Sequence, residues 1–267
     1  MKNEWKTEWY RATHSNYFKV AMLIGGFISL AHFVLCVCPL YQFLDEELYP
    51  FSVYGKWIGI DNISVYSSMY YFLLPILIAL PFVGTLKEDL RTGYVRNVFI
   101  RVDKRSYYIA KFSVNFVVAG MITVIPLILN FILTAMVLPL VKPQSGSFLF
   151  PIYQCHFLGD FYYEHPFCYV VIYLILNFIF MGLLSVTGLL AAFFCERVFS
   201  AMLTPFMVYL LLYALTQITG WHEVCPFAFL RPGQPITTNI VIVAIEIGLL
   251  LGAGGIYYYV GEKKEIY

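Results

Sequence analysis

Six runs of about 18 or more apolar residues, the length that carries a helix across a hydrocarbon core of about 30 Å, divide this chain, and no other feature constrains its fold as tightly. They lie at residues 18–40, 65–86, 109–138, 167–194, 201–219 and 238–260. In lipid a backbone amide has no water to bond to, so each run must satisfy its amides internally. That condition favours helices, and the alternation of a barrel strand is absent. A chain 60% apolar and only 12% charged also stands well apart from soluble domains. The sequence thus predicts an all-α membrane protein, a single six-span domain over residues 1–267, with no recurring unit or low-complexity tract to suggest further modules.

Six spans leave both termini on one side, and charge says which side that is. Of the 17 Lys and Arg, only Lys56, Lys142 and Arg231 fall on the opposite face. The other 14 gather at the amino end, between the second and third spans, between the fourth and fifth, and in the tail. By the positive-inside rule the richer face is cytoplasmic, so both termini are expected in the cytoplasm and the protein in a bacterial-type cell membrane. The same rule accounts for the basic residues without nucleic acid as a partner.

No cleavable signal peptide is evident, because aromatic residues interrupt the charged amino end and the first apolar run is span-length. Trp5, Trp9, Tyr17 and Val20 recur near helical spacing among Lys6, Arg11 and Lys19. Residues 1–17 are therefore expected to form a helix lying in the membrane interface. An unstructured cytosolic tail is the plainer alternative.

Residues 87–107, KEDLRTGYVRNVFIRVDKRSY, carry six of the Lys and Arg between two long apolar runs. Pro75 and Pro81 each remove an amide donor from the second span, which should bend before it delivers the chain to this stretch. The third run is 30 residues, about 45 Å as a helix and longer than a bilayer needs. It must tilt, kink at Pro126 or project, and projection would join it directly to the basic stretch through a short helix.

A bent second span, an acidic residue soon followed by Gly, and an Arg-rich step into a Tyr and Lys that open a long third span together resemble the type 2 ABC exporter permeases. The matching residues are Glu88, Asp89, Gly93, Tyr94, Arg101, Arg105, Tyr108 and Lys111, with Arg91 between them. Residues 220–237 depart from that family in being short for the re-entrant helices many members carry there. The resemblance implies a transmembrane subunit that works with a second permease chain, as a homodimer or heterodimer, and with cytosolic ABC ATPase subunits. Residues 87–107 would be the segment coupled to the ATPase. Glu88, Asp89, Arg91, Gly93, Arg101, Arg105, Tyr108 and Lys111 would form or support that contact. Export of a bulky hydrophobic or amphipathic substrate, such as a peptide, a lipid-like molecule or a drug, is likewise what the resemblance implies. On the bland reading the loop charges only set orientation.

The chain has no GxxxxGK[ST] phosphate loop, and its Gly-rich LGAGGI stretch lies inside an apolar run. It is expected to be non-catalytic and to bind no cofactor itself, with ATP and Mg on the partner subunit. Glu246 is the one acid well inside a span, where a carboxylate marks a functional position by default. It is a candidate for the translocation path; a structural hydrogen bond to a neighbouring helix is the alternative. Ala244, Gly248 and Gly252 form a small-residue stripe on another face of the same helix. Asn115, Asn130 and Asn177 are expected to face the bundle interior. Most of the 22 Tyr, 24 Phe and 4 Trp are expected to pack or meet lipid rather than bind a ligand.

Cys36, Cys38, Cys155, Cys168 and Cys225 fall at or beyond the outer ends of spans, and Cys195 falls inside. A disulfide such as Cys155 with Cys168, a Zn or Cu ion on the outer His and Cys residues, and free thiols are all open at this stage, and no metal site is assigned. Two other functions remain beside export: a membrane-embedded sensor or immunity protein, and a metal or redox enzyme built from the outer His and Cys groups.

Overall fold

The computed structural model describes residues 2–43, 51–143, 152, 158–233 and 238–263, most of them helical and none in a strand. A short helix α1 (Lys2–Thr13) ends just before Ser15, whose hydroxyl accepts from the Phe18 amide and starts α2 (Asn16–His32). A π turn (Phe33–Val37) and a 3-10 turn (Cys38–Phe43) prolong α2. The chain continues through α3 (Val53–Lys56), α4 (Val65–Ala79), α5 (Val83–Arg91), α6 (Tyr94–Phe99) and α7 (Lys104–Val137). It then passes through α8 (Gly159–Glu164), α9 (Pro166–Ala191), α10 (Val198–Thr219), α11 (Pro226–Phe229) and α12 (Ile240–Lys263). Six of these are long and apolar enough to cross a membrane: α2 with its continuation, α4 joined to α5, α7, α9, α10 and α12.

Of the two prolines expected to bend the second span, only Pro81 coincides with a break. Pro75 stays inside α4, whereas the helix breaks around Pro81 and resumes at Val83. The 34 residues of α7 span about 51 Å. Its extra turns reach back to Lys104, inside the basic stretch, while α6 supplies the short helix expected there. Gly93 joins α5 to α6 at φ +74°, a left-handed conformation costly for any residue with a Cβ.

The centre of the bundle is the contact of α7 with α9, made close by reciprocal glycines. A Cβ on Gly120 would lie 2.5 Å from the Phe178 ring, and one on Gly182 would lie 2.7 Å from Phe116. The two rings meet edge to face, 5.5 Å between centroids. Phe112 and Tyr108 of α7 similarly cover Gly254 and Gly261 of α12. Near Pro126, Ser29 of α2 donates to the Pro126 carbonyl at 2.7 Å, and the proline ring lies against Gly25.

One end of the bundle gathers α1, α5, α6, the start of α7 and the end of α12. At the other end the segment from α3 to α4 folds back into the protein. Trp57 and Ile58 are fully buried. The Trp57 indole donates to the Leu127 carbonyl at 2.9 Å, and the Ile58 amide donates to Asn130 Oδ1 at 3.0 Å. Asn115, Asn130 and Asn177 all face the interior, as their place in apolar runs predicts.

Candidate functional site

At the basic end, four charged side chains meet inside the protein. Asp89, in the last turn of α5, faces Arg11 of α1 and Lys111 of α7. Arg11 donates from Nη2 to Asp89 Oδ1 at 2.7 Å and from Nη1 to Oδ2 at 3.1 Å. The Tyr107 hydroxyl donates to the same Oδ2 at 2.9 Å, and Lys111 Nζ hydrogen-bonds it as well. Glu8 closes the ring, accepting from Arg11 at 3.0 Å and from Lys111 at 3.3 Å. Two cations thus face two carboxylates, with Glu8, Asp89 and Lys111 all buried.

Such a cluster forms only because each charge finds a partner as water leaves. Burial works against the Arg11 guanidinium, yet Asp89 and Glu8 together push its pKa above the ordinary value. Aromatic faces complete the enclosure: Tyr94 lies under Arg11, and Phe82 and Tyr107 lie beside Lys111. The network binds α1, the end of α5 and the start of α7 into one unit.

The residues grouped by the sequence between 88 and 111 therefore occupy two settings. Asp89, Tyr108 and Lys111 are buried, with Tyr108 packed against Phe99, Phe193 and Tyr257. Glu88, Arg91, Arg101 and Arg105 are exposed, and Gly93 forms the turn between them. Arg105 pairs with Glu262 at 2.8 Å, tying the basic segment to the end of α12. Ile100, beside Arg101, leaves 82% of its surface uncovered in this charged setting. A 480 Å³ cleft runs between α1 and the chain around α6, bordered by Thr7, Tyr94, Asn97 and Arg101.

Glu246 faces the bundle from the half of α12 remote from the basic end, with neither carboxylate oxygen hydrogen-bonded. The buried face of that helix is Val243, Glu246, Leu250, Gly254, Tyr257 and Gly261. Ala244, Gly248 and Gly252 lie on its open face, and a Cβ on either glycine would meet nothing within 4 Å. Among the described residues the small-residue stripe is thus not a packing contact.

The opposite end holds charges that sequence reasoning passed over. Asp61 lies 3.5 Å from His32 and 3.7 Å from Lys56. Burial opposes its ionisation, but the His32 ring and the Lys56 charge outweigh that and lower its pKa. Asn130 fixes His32 from the other side, its Nδ2 3.1 Å from His32 Nδ1. Arg231, just past α11, is buried among aromatic rings. Only its place in the loop was legible, as one of three basic residues on that face.

Cys168 is exposed at the start of α9 and Cys155 lies outside the described residues. Among the described residues no group of three His, Cys, Asp or Glu is arranged to hold a metal. No family model, curated protein or solved structure matches the chain.

Proposed function

We propose that this chain is the transmembrane permease subunit of an ATP-driven exporter of the type 2 ABC class. The observation that carries the reading is the construction of the basic segment. α6 and its flanks display Glu88, Arg91, Ile100 and Arg101 outward, while Asp89 anchors the same segment inward to Arg11 and Lys111. A partner that displaces such a segment moves α5, α7 and α1 together instead of deforming a loop.

In this reading the basic end is cytoplasmic and meets an ABC ATPase subunit, which holds ATP and Mg. A second permease chain completes the assembly in the cell membrane. Glu88, Arg91 and Arg101 position the ATPase by charge, and Ile100 enters an apolar pocket on it. Arg105, paired with Glu262, carries the displacement to α12. Asp89 and Lys111 serve as internal anchors. Glu246, facing the bundle without a partner, belongs to the path of a bulky hydrophobic or amphipathic substrate.

The test is a pull-down of the tagged protein from its native membrane, with identification of co-purifying chains and assay of ATP hydrolysis. Recovery of an ATPase that is lost in the Arg101→Glu variant supports the reading. A preparation free of any ATPase, from membranes in which the chain is intact, rejects it.

A further inference from the structure

Arg231 is a buried cation whose edges have no partner. It is 2% exposed, and neither Nε nor Nη2 meets a hydrogen-bond acceptor. Its flat faces are covered, with the Phe227 ring 4.8 Å and the Tyr71 ring 5.7 Å from the guanidinium carbon. The hydroxyl of Tyr209, also buried, likewise has no partner. Asp61 contributes to the field at Arg231 but makes no ion pair with it, standing instead between His32 and Lys56. Uncompensated donors around a positive charge in a low-dielectric setting are costly unless an acceptor completes them. The Nε and Nη2 edge of a guanidinium fits two oxygens of a phosphate or carboxylate.

Next to this nest a 440 Å³ groove opens on the outer surface of the bundle, within the range of about 300–1,000 Å³ usual for small-molecule sites. It runs between α4 and α10 over Val65, Met69, Phe72 and Tyr213, and it shares Tyr209 and Phe227 with the surroundings of Arg231. The walls are almost entirely apolar and lie on two helices long enough to span a membrane. An apolar groove along membrane helices that shares Tyr209 and Phe227 with the surroundings of a buried cation is complementary to an anionic lipid: chain in the groove, head on the guanidinium.

We propose that the end of the bundle opposite the termini carries a specific site for an anionic phospholipid, with the headgroup phosphate on Arg231 and one acyl chain between α4 and α10. The site rests on its own geometry and is independent of any ATPase partner.

The experiment is native mass spectrometry of the purified chain released from nanodiscs containing phosphatidylglycerol and phosphatidylcholine in equal amounts. The expected result is retained phosphatidylglycerol in preference to phosphatidylcholine. Occupancy should fall about tenfold in Arg231→Gln, matching the loss of one charge-assisted hydrogen-bond pair. Met69→Trp, which fills the groove at a half-exposed position without touching Arg231, should also lose the lipid. It keeps the test open if Arg231→Gln does not fold. Equal retention of the two lipids, or unchanged phosphatidylglycerol in a folded Met69→Trp or Arg231→Gln protein, overturns the proposal. So does thermal stabilisation by inorganic phosphate as large as that by the lipid, since the tail would then contribute nothing.

Discussion

Arg11 holds Asp89 through a two-point fork, Nη2 to Oδ1 at 2.7 Å and Nη1 to Oδ2 at 3.1 Å, across 78 positions of sequence. The fork attaches the helix that precedes the first long apolar run to the end of the second. Because Lys111 and Tyr107 bond the same carboxylate, the third is attached as well.

Asp89→Asn should therefore destabilise the protein by about 3 kcal/mol, the low end of what breaking a buried pair costs, because Arg11 is partly exposed. Asp89→Leu combined with Lys111→Met should cost less than the sum of the two single changes, since neither charge is then left alone. Thermal unfolding in detergent reads both effects. Additive losses would mean that the two side chains do not share an interaction.

Glycines give a sharper contrast. Gly120→Ala and Gly182→Ala place a methyl 2.5 Å and 2.7 Å from facing rings. Each should cost about 1–3 kcal/mol through overpacking of α7 on α9. Gly252→Ala adds its methyl to open space and should stay within about 0.5 kcal/mol of the parent protein. Equal effects at Gly120 and Gly252 would contradict the packing of α12 with its Ala244, Gly248 and Gly252 face outward.

What the sequence made legible follows from how local the cause is. The break around Pro81 and the interior positions of Asn115, Asn130 and Asn177 depend on a missing donor or on a polar group in an apolar run, and each was readable. The Arg11–Asp89 fork was not, because only the packing of three helices brings those residues together. The inward face of α12 was hidden for a related reason. That helix is apolar nearly all round, so periodicity selects no face. Small size suggested Gly248 and Gly252, whereas the close contacts fall at Gly254 and Gly261. The buried 57–60 segment was missed because Lys56 and Asp61 bracket it and keep it out of any long apolar run.

Asp61 should make the end opposite the termini sensitive to acid. Burial alone would raise its pKa, but the His32 ring and Lys56 lower it below the ordinary carboxylate value. The folded state therefore holds the ionised form more tightly than the unfolded chain does. That stabilisation is present at neutral pH and is lost as pH falls below about 4 and through the depressed native value. Arg231 adds to the same field. Stability measured against pH should fall less steeply on the acid side in Asp61→Asn than in the parent; an unchanged slope would remove Asp61 from the acid response.

In the exporter reading, Glu246 allows stability and transport to be separated. Both carboxylate oxygens are buried without a hydrogen bond, a condition that costs about 1–3 kcal/mol. A group held only for structure would have found a partner among the neighbouring hydroxyls and amides. Glu246→Met, similar in length and apolar, should thus raise the unfolding temperature of the purified chain. In the exporter reading the same change should abolish substrate-stimulated ATP hydrolysis in the reconstituted assembly while leaving ATPase association intact, because Glu246 lies far from the basic end. Glu246→Gln then distinguishes charge from hydrogen bonding at this position. Loss of stimulation in both variants identifies the charge as the required feature, and loss in Met alone identifies a polar contact with the substrate. A destabilised Glu246→Met protein with normal stimulation would make Glu246 a structural residue and take it out of the translocation path.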